Sequence, residues 1–147
     1  MIENTIKELN TQLQGVIMGE NAISSLKDKA KDYKLIELLD KTLCTVQKNK
    51  DAIVKEIEEL GGLPTDNEGV WGKILEIFNN IKEEMSIETD KDILEKAIEG
   101  TEMGFKAILD LLIEQEDLHD HFKKALIEIS DEYTKNIKEM QEYLITL

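Results

Sequence analysis

A single proline, Pro64, interrupts a chain of 147 residues. Proline removes a backbone donor and clashes with the preceding helical turn, so its near absence leaves helices free to run long. Apolar residues recur at three- and four-residue spacing, the period of one face of an α-helix. Ile2, Ile6, Leu9, Leu13, Val16/Ile17, Ile23 and Ala30 form a first stripe, which predicts a helix over about 2–31. The phase breaks at Asp32-Tyr33. Leu35, Leu39, Leu43, Val46, Ile53, Ile57 and Leu60 then predict a second helix over about 34–60, stopped by Gly61-Gly62 with Pro64 just beyond. Glycine adopts the left-handed cap at little cost, and a proline there cannot prolong the helix. Thr89 and Asp92 stand at capping-box spacing before a third stripe of Leu94, Ala97/Ile98, Phe105, Ile108 and Leu112, over about 90–115. Leu118, Phe122, Ala125, Ile129, Tyr133, Ile137, Met140 and Leu144 carry a fourth helix over about 118–145.

No segment alternates in the two-residue period of a strand. Two helical hairpins joined by a long connector predict an all-α domain spanning 1–147, an up-down four-helix bundle with a crossover. The connector, 61–89, holds Val70, Trp71, Ile74, Leu75, Ile77, Phe78, Ile81 and Met85 at helical spacing. A short helix is expected there, with Trp71 and Phe78 packed on the bundle. The hairpins also align with each other: a shift of 82 sets Glu20 on Glu102 and Ile23 on Phe105, and a shift of 83 sets Leu35 on Leu118 and Val46 on Ile129.

Charge excludes several functions. The net charge is −14, and all 18 basic residues are lysine. Without a basic footprint or a guanidinium fork the chain is not expected to bind nucleic acid, and its sign disfavours anionic membranes. No run approaches the roughly 18 apolar residues of a membrane span. The start, Met1-Ile2-Glu3-Asn4, lacks signal-peptide order, and one cysteine, Cys44, forms no internal disulfide, so a cytoplasmic setting is expected. No phosphate-binding glycine loop, nucleophile elbow or Cys–His pairing is present.

The informative residues are polar ones that interrupt an apolar stripe. Glu20 lies between Ile17 and Ile23, and Glu102 between Ile98 and Phe105. A carboxylate on a core face calls for a cation, a metal, a donor or water. On the fourth helix Glu128 and Asp131 are one turn apart, a Glu-x-x-Asp where di-iron bundles carry Glu-x-x-His. On the second helix the aligned positions are Thr45 and Lys48, which are not iron ligands, so half of such a set is missing.

The chain resembles a bacterial domain-of-unknown-function family of ferritin-like bundles distantly similar to rubrerythrins. Gly19-Glu20, Leu60-Gly61-Gly62-Leu63-Pro64, Ala97-Ile98-Glu99-Gly100-Thr101-Glu102 and Phe105-Lys106-Ala107 carry the resemblance. It implies a ferritin-like four-helix bundle without an established reaction. Rubrerythrin-type iron ligands would fall on Glu20, Glu102 and Glu128, with Asp131 in place of histidine.

Two readings of these carboxylates follow. In the first, Glu20 and Glu102 join Lys48 or Lys50 and the Tyr133 hydroxyl in a polar core layer that fixes register. The protein is then a non-catalytic module that needs no cofactor, self-associates as a homo-oligomer or binds a helical partner, and carries no catalytic residues. In the second, Glu20, Glu102, Glu128 and Asp131 hold iron or manganese, for storage or oxidant defence. His119 and His121, two apart, should diverge on a helix and stand as surface residues. Cys44 is expected as a small core or boundary residue.

Overall fold

The structure, a computed structural model, describes residues 1–64 and 89–147. Four helices make up the described part: α1 (Ile2–Lys29), α2 (Tyr33–Glu59), α3 (Asp90–Glu114) and α4 (Asp120–Thr146), with no strand among the described residues. The expected connector helix, with Trp71, Phe78 and Met85, lies outside the described residues.

Local chemistry sets the ends of these helices. The Asp32 carboxylate accepts the Leu35 N–H and opens α2. Thr89 and Asp92 close a reciprocal capping box on α3, as their spacing predicts. At the end of α2, Gly61 takes φ 86°, its N–H bonds the Glu58 carbonyl, and the Gly62 N–H reaches the Ile57 carbonyl. This paired closure is a Schellman motif, which needs a left-handed residue that glycine supplies without strain. Gly62 sits so close to Ile6 that an added Cβ would lie 2.7 Å from its Cγ2.

α2 packs on α1 and on α4, α3 packs on α1 and α4, and α2 touches α3 only lightly across the diagonal. Hydrogen bonds fix which ends coincide. At one end the Asp90 carboxylate accepts the Lys31 and Asp32 N–H groups, and the Tyr143 hydroxyl donates to Asp32. At the other end the α3–α4 turn meets the start of α1, where Thr5 Oγ1 donates to Gln115 Oε1 at 3.0 Å. α2 and α3 therefore run parallel. Pro64 leaves from one end and Thr89 enters at the other, as a crossover requires.

The core falls into two apolar clusters. One holds Leu9, Leu13, Ile53, Ile57, Phe122 and Leu126 near the α3–α4 turn; the other holds Leu26, Leu35, Leu39, Leu94 and Met140 near the α1–α2 turn. Between them lie neutral polar side chains. Asn49 Nδ2 donates to the Tyr133 hydroxyl at 3.3 Å, and Asn136 Nδ2 to Thr45 Oγ1 at 2.9 Å.

The tyrosines give the fold an alkaline limit. Burial holds the Tyr133 hydroxyl above its ordinary value of 10.0, with the Asn49 bond opposing. Tyr143 is raised chiefly by its hydrogen bond to Asp32. A group whose folded pKa is raised contributes stability that is complete below the unfolded value and is lost as pH rises through the folded one. Stability should therefore fall as pH climbs past about 10. In denaturant titrations at stepped pH, Tyr133→Phe and Tyr143→Phe should each flatten that decline.

Candidate functional site

Three residues past Ile53 and one before Ile57, Glu56 falls on the inward face of α2. Its side chain is 0 % exposed. A carboxylate so placed must be satisfied by donors. His119 supplies two: its backbone N–H donates to Glu56 Oε2 at 2.8 Å, and its ring Nδ1 bonds Oε1 at 2.8 Å. His119 can do both because it is not helical. It is the N-cap of α4, with φ −65° and ψ 146°, and Leu118 buried beside it pins the turn.

Glu59 stands one turn beyond Glu56, on the same side of α2. Its Oε2 lies 2.6 Å from His121 Nε2 and 3.9 Å from His119 Nδ1. The two imidazoles stack with centroids 5.3 Å apart and an interplanar angle of 23°. One donor atom from each of Glu56, Glu59, His119 and His121 lies within 4.8 Å of the other three. Among the described residues these form the one such convergence of three or more metal-ligating side chains. The hydrogen bond to the Glu56 carboxylate, then that group's charge, raises the His119 pKa against a smaller opposing effect of burial. Two imidazoles and two carboxylates on facing elements make a donor set suited to a divalent transition ion.

His119 and His121 do not diverge as helical spacing predicts: their rings stack. Two-residue divergence holds on a helix, and the extended backbone at His119 swings its ring back over His121. Glu56 was legible by the same rule that singles out Glu20, a carboxylate on an apolar stripe. No local signal in the sequence points to the turn that faces it.

The other candidates are placed differently. Glu20 is partly buried, and Lys50 Nζ grips both of its carboxylate oxygens at 2.9 and 3.1 Å. Tyr133 lies in the core on Asn49. Lys48 is exposed and pairs with Glu132 at 2.7 Å, so it is not a member of a core layer. Glu102 is likewise exposed and leaves that layer, because Thr101, one residue earlier, takes the inward slot and donates to the Ala97 carbonyl. Ile129, Ser130 and Tyr133 face inward on α4, and at about 100° per residue Glu128 and Asp131 fall on the opposite side, exposed. The structure does not bring Glu20, Glu102, Glu128 and Asp131 together. Cys44 is exposed, not core.

A ferritin-like bundle implies metal at mid-height, and the residues there do not fit it. An ammonium already neutralises Glu20, and the neighbouring side chains are amides and hydroxyls. Lys50→Ala should cost about 1–2 kcal/mol by leaving a half-buried carboxylate unpaired. Replacing both partners by apolar residues should recover most of that loss, and paired denaturant melts measure the difference.

Four antiparallel and parallel helices with one crossover define the ferritin-like class, and solved structures agree. The chain is similar to a two-domain protein from Anabaena variabilis containing DJ-1/ThiJ/PfpI-like and ferritin-like domains, with a TM-score of 0.75 and 16 % identity. The match covers 99 % of this chain and 37 % of that protein, so this chain spans little more than a third of its length. No curated protein matches. The family model described as "Domain of unknown function (DUF2383)" matches residues 4–115, and the chain belongs to that family.

Proposed function

We propose that this protein is a ferritin-like helical domain that binds one divalent transition-metal ion at the end of its bundle, through Glu56, Glu59, His119 and His121. The observation that carries this reading is the convergence of four donor atoms within 4.8 Å from two separate elements. It relocates the metal expected of such a bundle from mid-height, where Lys50 occupies Glu20, to the α2–turn junction. Among the described residues no helix is long and apolar enough to cross a membrane.

Equilibrium dialysis against Zn(II) provides the test. One equivalent should bind, and the His119→Ala/His121→Ala double variant should lose it while Glu20→Ala/Glu102→Ala retains it. Absence of stoichiometric uptake, or uptake indifferent to the histidines, contradicts the reading.

A second reading, self-association through α3, is favoured by the exposed side chains of Met103, Leu109 and Ile113. They lie within roughly a third of the helix circumference. Light scattering across a concentration series should show a dimer or larger species that Ile113→Lys disperses.

A further inference from the structure

We infer that the Glu56–Glu59–His119–His121 site is a closed, four-coordinate structural site for an ion of the Zn(II) class, locking the C-terminal end of α2 to the α3–α4 turn. This inference rests on the metal-binding reading above and adds the coordination and the role.

The donor count comes first. Structural zinc sites are closed by four protein ligands, whereas catalytic ones keep a position open for water or substrate. Four side chains of this chain each offer one ligand atom, the number that a tetrahedral structural site takes. Glu56 presents Oε1 toward the other donors, while its Oε2 accepts the His119 N–H at 2.8 Å. A monodentate carboxylate with its second oxygen bonded to backbone is an oriented ligand of the kind that outer-shell contacts create.

Spacing comes second. Bonds of about 2.0–2.1 Å to nitrogen and oxygen give a tetrahedron with edges of roughly 3.3–3.4 Å. The pairs Glu56–His119 and Glu59–His121 stand at 2.8 and 2.6 Å, and Glu59–His119 at 3.9 Å. These three separations bracket that edge, and the other three pairs lie within 4.8 Å. An ion would enter by parting two hydrogen-bonded pairs slightly and drawing them toward each other.

Position comes third. Glu56 and Glu59 lie in the last turn and a half of α2, just before the Gly61-Gly62 closure, while His119 and His121 begin α4. An ion bonded to all four joins elements more than fifty residues apart in sequence. That is the arrangement of a cross-link.

Co(II) added to the full chain reports coordination directly, because four-coordinate Co(II) has intense visible d–d bands and six-coordinate Co(II) weak ones. Intense bands that Zn(II) displaces are expected, with slowed amide exchange at residues 115–121 in the loaded protein. The melting temperature should rise by about 5–10 °C at a free-metal concentration near 100 times Kd. His121→Ala, a change at an exposed residue that should leave the bundle folded, should abolish the intense bands. Stoichiometric Co(II) with only weak bands, or unchanged exchange in the turn, overturns the structural assignment and leaves the metal-binding reading standing. No Co(II) uptake by the folded parent overturns both.

Discussion

Glu56→Ala is expected to lower the melting temperature of the metal-free protein by roughly 6–12 °C and to abolish stoichiometric Zn(II) uptake. Its carboxylate is the buried acceptor that joins α2 to the start of α4 through two bonds from His119. Hydrogen bonds to a charged group contribute about 1.5–3 kcal/mol each, though two on one residue are not additive. A loss on the order of 3 kcal/mol follows, and a chain of about this size melts roughly 2–4 °C lower per kcal/mol. The His119 N–H would also lose its partner inside the turn, so the damage should not be confined to a surface contact. Glu59→Ala separates the two roles. The Glu59 side chain is one-third exposed and its 2.6 Å bond is to an exposed ring, so its removal should cost about 1 kcal/mol or less while weakening metal affinity by at least the roughly 10–100-fold typical of an outer-shell loss. Calorimetric melts without metal and titrations with it check both expectations.

Leu39→Ala and Leu126→Ala should each cost about 2–5 kcal/mol. Both side chains are fully enclosed, one in each apolar cluster. Removing three buried carbons from either loses their transfer free energy and leaves a cavity that four long helices cannot close by a local shift. Because every helix passes through both clusters, the two substitutions should displace one common transition. Denaturant melts followed by circular dichroism and by Tyr fluorescence should stay coincident in both variants. A biphasic melt in Leu39→Ala would mean that the clusters fold separately.

The fold class was legible because it rests on repetition. Dozens of positions at helical spacing outvote any single misplacement, and one proline leaves few other ways to arrange the chain. End chemistry was legible for a similar reason: Gly61-Gly62-Leu63-Pro64 and the Thr89/Asp92 spacing depend only on near neighbours. The site was not. Glu102 looked equivalent to Glu20 from its flanking residues, yet one position decides the matter, and Thr101 faces in where Glu102 does not. Stripe membership carries an uncertainty of about 100° when the apolar pattern has gaps, which is enough to turn a core residue outward. The apparent repeat of the two hairpins therefore extends to their packing and not to their carboxylates. His119 and His121 failed for a different reason. Their divergence followed from helical geometry, and the helix begins one residue after the first of them. Glu56 sat in plain view on an apolar stripe. Its partner is 63 residues away, and only the closed bundle brings the two together.

Crystals grown with Zn(II) and measured across its absorption edge would locate the ion most directly. One anomalous peak bonded to Glu56, Glu59, His119 and His121 is expected, with nothing beside the Glu20–Lys50 pair. A peak at mid-bundle instead, or a zinc-loaded protein whose ion lies away from both histidines, would contradict this account.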